Sequence, residues 1–69
     1  MTRLAVRSSM FISVGYNEPT ETLEIEFKNG DVWQYSGVSI ETYNEMMQAE
    51  SCGKYFLSHI KGKYKEIKQ

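Results

Sequence analysis

The sequence predicts an α+β domain, in which a three-stranded antiparallel β-meander is followed by two C-terminal helices packed on one face of the sheet. Three observations carry this prediction. Leu23–Phe27 alternates apolar and acidic residues, the period of a half-buried strand. Asn29-Gly30 follows directly and is a strong hairpin signal. From Ile40 onward the apolar residues recur at helical spacing instead.

The length and the cysteine count limit what the chain can be. Sixty-nine residues suit a single domain, 1–69, with one small core. Cys52 is the only cysteine and His59 the only histidine, so neither an internal disulfide nor a four-ligand zinc site is expected. The N-terminus lacks a signal peptide's apolar segment, and the stretch Met10–Val14 is too short to cross a bilayer. We therefore expect a cytoplasmic protein with no cofactor and no membrane association, and its oligomeric state is left open.

The strands follow from alternation and from turn residues. Ile12, Val14 and Tyr16 alternate with small residues, and Pro19 marks the turn that follows them. After the hairpin signal comes a segment rich in aromatic and β-branched residues, which favours a third strand. The strands are expected near Met10–Tyr16, Thr22–Lys28 and Asp31–Ser36.

Two helices are predicted after the sheet. Ser39 is a suitable N-cap, and Glu41 in the first turn complements the helix dipole. Ser51 can cap a second helix. Its stripe has steps of four, four and three residues: Phe56, Ile60, Tyr64 and Ile67. The helices are expected near Ile40–Glu50 and Cys52–Lys65. The predicted core is Ile12, Val14, Leu23, Ile25, Phe27, Trp33, Tyr35, Tyr43, Met47, Phe56 and Ile60.

The register of the hairpin has two alternatives. A two-residue turn at Asn29-Gly30 pairs Phe27 with Val32. Trp33 and Ile25 then lie on different faces of the sheet. A three-residue loop with Gly30 in a left-handed bulge position pairs Ile25 with Trp33, so that all large apolar groups share one face. We favour the bulged loop, because so small a domain can hardly leave its only tryptophan out of the core. Trp33 is then expected to be mostly buried.

Charge is distributed unevenly along a chain of net charge −1. The segment 31–53 contains four acidic residues and no lysine or arginine, whereas the segment from Lys54 onward is basic. Such a basic end is typical either of a solvated helix face or of a patch that binds phosphate. Arg3 and Arg7 are candidates to lie beside it. The candidate RNA-binding residues are Lys54, Lys61, Lys63, Lys65 and Lys68, of which Lys61, Lys65 and Lys68 would share one side of the second helix.

These residues together resemble the KTSC domain, a family named for its place at the C-terminus of some lysyl-tRNA synthetases. The match runs from about residue 6 to residue 64. It rests on Val6-x-Ser8-Ser9, Gly15-Tyr16, Leu23-x-Ile25-x-Phe27, Gly30, Trp33-x-Tyr35, Val38, Tyr43, Ala49-x-Ser51-x-Gly53-x-Tyr55-Phe56, Ile60 and Tyr64. The chain departs from the family pattern at Asn17, Trp33, Ser39 and Leu57. The resemblance implies a small stand-alone protein, and the synthetase fusion implies contact with tRNA-like RNA.

No catalytic activity is expected. Cys52, His59 and Asp31 stand in three unrelated local settings, and no glycine-rich phosphate loop is present. With the aromatic pair Trp33 and Tyr35 assigned to the core, RNA contact would depend on the basic second helix. The hypothesis is therefore a non-catalytic RNA-contacting domain. The alternative is a protein–protein interaction module with a partly exposed surface at Met46, Tyr55 and Cys52.

Overall fold

The structure is a computed structural model that describes all residues, 1–69. It contains five strands and two helices in one chain. In order they are β1 (Arg3–Ala5), β2 (Phe11–Asn17), β3 (Thr22–Phe27), β4 (Val32–Ser36), α1 (Ile40–Gln48), α2 (Cys52–His59) and β5 (Lys65–Lys68). The α+β class is confirmed. Neither helix is long and apolar enough to cross a membrane.

The sheet is larger than the sequence predicts. Its strands lie in the order β1-β2-β3-β4-β5 with every neighbouring pair antiparallel, so the three-stranded meander is the centre of a five-stranded sheet. The second helix ends at His59 and not at Lys65, and Gly62 in the turn that follows has a φ of +79°, a conformation that glycine adopts without steric cost. The chain after this turn returns along β4 as β5, although its apolar residues continue the helical spacing.

The hairpin between β3 and β4 adopts the bulged register. Ile25 lies opposite Trp33, and the backbone N–H of Phe27 donates to the carbonyl of Asp31 over 2.8 Å. Gly30 has a φ of +94°, a conformation that glycine adopts without steric cost. The predicted three-residue loop is confirmed, and the large apolar residues of β3 and β4 share the face that the helices cover.

Both helices begin at the predicted caps. The Ser39 hydroxyl accepts from the backbone N–H of Thr42, and the Ser51 hydroxyl accepts from that of Lys54. On the covered face, Tyr43 of α1 stacks on Tyr16 of β2 with ring centroids 4.6 Å apart. This contact places α1 over β2, and the ring contacts of Phe56 place α2 over β2, β3 and β4.

The core differs from the predicted set mainly at β2. A β-bulge between Phe11 and Ser13 lets both Phe11 and Val14 point inward, and it turns Ile12 outward, where 43% of it is exposed. Strict alternation had assigned Ile12 to the core, and that prediction is wrong. Four predicted core residues pack against the core while only partly buried: Phe27, Trp33, Tyr43 and Met47. The buried core is Phe11, Val14, Leu23, Ile25, Tyr35, Val38, Met46, Phe56 and Ile60.

Gly15 allows the N-terminal residues to pack closely against β2. A Cβ atom at this position would lie 2.8 Å from Cγ of Arg3 and 2.9 Å from the carbonyl oxygen of Thr2. We expect Gly15→Ala to lower the free energy of unfolding by about 1–3 kcal/mol, because the added methyl group forces β1 away from β2. Urea unfolding of the variant and the wild type measures the difference. Equal stabilities would contradict the close approach.

Candidate functional site

The candidate site is a groove on the covered face of the sheet, lined by residues of β4, β5, the β3–β4 hairpin, α2 and the turn that follows α2. It has a volume of about 370 Å³ and is called the Trp33 groove below. Its apolar lining is Met10, Phe27, Trp33, Tyr35 and Phe56. Its polar lining is Asn29, Asp31, Lys61 and Glu66.

Trp33 and Tyr35 of β4 line the groove next to Phe56 of α2. Phe56 covers Tyr35, whose ring centroid is 5.3 Å away and which is only 2% exposed. Trp33 lies two residues earlier on the same face and is partly buried against the core. The expectation of a mostly buried Trp33 on the face of Ile25 is confirmed. Part of its indole still lines the groove.

One end of the groove is held by the hairpin and the end of β5. The Asp31 carboxylate accepts from the side-chain amide of Asn29 over 3.3 Å and lies 3.6 Å from the Lys68 ammonium. The Asn29 side-chain oxygen in turn accepts from the backbone N–H of Asp31. Lys68 stands directly opposite Trp33 on the neighbouring strand. Asp31 and Lys68 therefore neutralise each other beside the tryptophan.

The other charged groups of the groove have no ionic partner. Glu66 lies opposite Tyr35 on β5, and it forms no salt bridge. Lys61 is exposed in the turn after α2 and also forms none. Burial, and secondarily the negative charge of Glu66, raise the pKa of the Tyr35 hydroxyl to about 12.

The five candidate lysines do not form one surface. Lys54 is in the first turn of α2, and Lys61 and Lys63 lie in the turn between α2 and β5. Lys65 and Lys68 are at odd spacing on β5, so their side chains point to opposite faces of the sheet. The predicted helical side shared by Lys61, Lys65 and Lys68 is therefore wrong, because no helix exists there. Only Lys61 lines the Trp33 groove, and Lys68 lies next to it through its salt bridge with Asp31.

The uncovered face of the sheet carries a polar network and no aromatic platform. Glu24 lies 3.4 Å from the guanidinium of Arg3 and accepts from the Gln34 side-chain amide over 2.8 Å. Glu26 accepts from the Ser13 hydroxyl over 2.9 Å. These two glutamates are half-buried and paired across strands.

Other residues that the sequence singles out have local structural roles. The Ser8 hydroxyl accepts from the backbone N–H groups of Met10 and Phe11, which shapes the entrance to β2. His59 stacks on Tyr55 with ring centroids 4.2 Å apart. Neither a hydrogen-bonded nucleophile and base nor a cluster of three metal-binding side chains is formed. Nothing in the arrangement indicates catalysis.

The proposed protein-interaction surface is also changed by the structure. Met46, expected to be partly exposed, is fully buried in the core. Tyr55 and Cys52 are partly buried on α2, away from the Trp33 groove. Glu66 could not be predicted as a groove residue from the sequence, since its place on the face of Trp33 depends on a strand that no local pattern predicts.

The fold and the groove together define a small α+β domain, in which two helices cover one face of a five-stranded antiparallel sheet and leave one groove lined by aromatic and charged residues. The KTSC domain family model matches residues 7–64, and the chain belongs to that family. A KTSC domain protein from Yersinia pestis has a crystal structure that superposes with a TM-score of 0.96 at 37% identity, covering 99% of this chain and 96% of that one. The family resemblance drawn from the sequence is confirmed.

Two further relatives define how the domain occurs. An uncharacterised protein of Stutzerimonas stutzeri is 36% identical over 56 residues, which cover 81% of this chain and 79% of that protein. A lysine–tRNA ligase of Trichormus variabilis is 42% identical over 50 residues, which cover 72% of this chain. The matched segment is only 9% of that ligase. The domain is thus found both as most of a small protein and as a minor part of a synthetase.

Proposed function

We propose that this protein is a non-catalytic, cytoplasmic RNA-contacting module, and that the Trp33 groove is where it contacts a single-stranded segment. The observation that carries the proposal is a partly exposed indole beside the unpaired ammonium of Lys61 in one groove. A base can stack on the indole while the ammonium neutralises a phosphate, which is how sequence-tolerant sites bind single strands. The lysine–tRNA ligase relatives support the choice of RNA, since that class of enzyme acts on tRNA.

A second candidate is a groove for a basic peptide. It is favoured by the two carboxylates, of Asp31 and Glu66, that lie in the same groove as Trp33. An arginine side chain can stack on an indole and donate to a carboxylate at once. Asp31 already binds Lys68, however, and the free Lys61 ammonium offsets the free Glu66 carboxylate, so the groove has no net charge that attracts a cation. RNA is preferred because lysine–tRNA ligases are among the relatives.

The proposal is tested with the only tryptophan as the probe. Titration with a seven-residue oligouridine is expected to quench Trp33 emission, with a dissociation constant of about 10⁻⁴–10⁻⁶ M. The logarithm of affinity should fall with the logarithm of salt concentration, by about 0.7 for each phosphate neutralised. Lys61→Gln should reduce this slope by about 0.7, because it removes one such contact.

Lys65→Gln is the matched control, since Lys65 is also an exposed lysine but lies on the opposite face of the sheet, across from Ser36. It should leave the affinity and the slope unchanged. Equal effects of the two substitutions would exclude the groove. No quenching at low salt would overturn the RNA proposal, and quenching by an arginine-containing peptide in its place would support the second candidate.

A further inference from the structure

Resting on the proposed function, we propose that the Trp33 groove selects guanine, with the base stacked on Trp33, its Watson–Crick edge on the Glu66 carboxylate and a neighbouring phosphate at Lys61. RNA contact as proposed above needs no particular base, whereas selection of guanine depends on which charged groups of the groove are free to bind a ligand.

Two charged groups at the groove, Asp31 and Lys68, form a salt bridge with each other, and two others, Glu66 and Lys61, have no partner within the protein. Asp31 is held by the Asn29 amide and by Lys68, so its oxygens already have donors within the protein. Glu66 and Lys61 have neither a salt bridge nor a side-chain hydrogen bond. One carboxylate and one ammonium therefore remain for a ligand. A ligand that satisfies both must carry hydrogen-bond donors and a negative charge.

Glu66 lies close enough to the Trp33 indole for one nucleobase to reach both side chains. It pairs with Tyr35 across β4 and β5, while Lys68 pairs with Trp33, so Glu66 is the diagonal neighbour of Trp33 on the same face. Diagonal neighbours in an antiparallel pair are about 7–8 Å apart. A flat ring that covers the indole can thus bring one of its edges to the Glu66 carboxylate.

A carboxylate accepts hydrogen bonds and cannot donate them, and this discriminates among the bases. Guanine offers two adjacent donors on its Watson–Crick edge, the N1–H and the 2-amino group, and they match the two oxygens. Adenine and cytosine each offer one amino donor beside a ring nitrogen that would face the carboxylate with a lone pair. Uracil offers one N–H between two carbonyl oxygens. Guanine is the one base that meets Glu66 with two donors.

The experiment compares seven-residue RNAs that are oligouridine except at the central position, which is guanine, inosine, adenine or uracil. Quenching of Trp33 emission reports binding at this groove, because the protein has no other tryptophan. We expect the guanine strand to bind about tenfold more tightly than the all-uracil strand, within the range of a two-donor contact to one side chain. Inosine lacks the 2-amino group and should fall between them.

Glu66→Gln should reduce the preference for guanine over uracil to about twofold or less, because the amide lacks the second acceptor oxygen. Glu45→Gln is the charge-matched control: Glu45 is exposed on α1, outside the groove, and its removal should leave the preference intact. Equal quenching by all four strands, with the Lys61 dependence retained, would overturn base selection and leave the RNA proposal standing. Absence of quenching by every strand would overturn both proposals. A preference for guanine that survives Glu66→Gln would also contradict the assignment of Glu66.

Discussion

Replacing Phe56 with alanine is expected to unfold the domain or to leave it barely folded. The Phe56 ring is 1% exposed and meets three other rings edge-on, those of Phe11, Phe27 and Tyr35, with centroids 5.3–5.8 Å away. Loss of a buried phenylalanine side chain costs about 3–5 kcal/mol. The core of so small a domain supplies roughly 3–5 kcal/mol of net stability. The expected loss is therefore as large as the free energy of unfolding of the domain.

Leu57→Ala is the matched control for this substitution. Leu57 is the next residue of α2, and 48% of it is exposed, so its truncation should change the free energy of unfolding by no more than about 0.5 kcal/mol. Urea unfolding followed by circular dichroism measures both variants. A Phe56→Ala protein that keeps a cooperative transition, with a loss below about 1 kcal/mol, would show that α2 does not anchor the core.

The second large effect is expected at alkaline pH, through Tyr35. Its pKa is about 12 in the folded protein because burial, and then the charge of Glu66, disfavour the phenolate, whereas an unfolded tyrosine has a pKa of about 10. Below pH 10 the hydroxyl is neutral in both states and the stabilisation is fully present. As the pH rises from about 10 to about 12, only the unfolded state ionises. Stability is therefore lost across this window, by up to about 3 kcal/mol.

Tyr35→Phe isolates this contribution. Phenylalanine keeps the ring against Phe56 but cannot ionise, so the variant should lose less stability than the wild type between pH 10 and pH 12. Urea unfolding at several pH values gives the difference, in which the other alkaline groups cancel because both proteins contain them. Parallel pH profiles for the two proteins would mean that the Tyr35 phenolate is tolerated in the folded state.

The sequence alone was sufficient for the central hairpin and for the start of each helix. The sequence favours the pairing of Ile25 with Trp33, because a slip of one residue would place a large aromatic side chain on the face of Glu24 and Glu26. Ser39 and Ser51 marked the helix starts through chemistry confined to a single turn. Such features depend on neighbouring residues or on the period of one element.

The bulge in β2 and the two edge strands were decided by the tertiary structure. Ile12 has the right period for the core, but the extra residue in the bulge turns it outward, and only the pairing of β2 with β3 shows this. β5 has the sequence Lys-Glu-Ile-Lys, with all four residues exposed, so no apolar alternation identifies it. It forms because β4 presents unpaired backbone N–H and C=O groups, and its own backbone satisfies them.

The candidate site shares this dependence. Trp33, Tyr35 and the lysines could be recognised from the sequence, and their grouping could not. A helix through Lys65 would have placed the lysines on one side of that helix. In the structure the helix ends at His59, the chain turns at Gly62, and β5 brings Glu66 and Lys68 beside Trp33. Local sequence determined the chemistry of the individual side chains and the face of each central strand. Which side chains come together was decided only by the pairing of strands that are distant in sequence. Backbone hydrogen bonds make this pairing, and since every residue except proline carries both a backbone donor and an acceptor, the side-chain sequence does not reveal it.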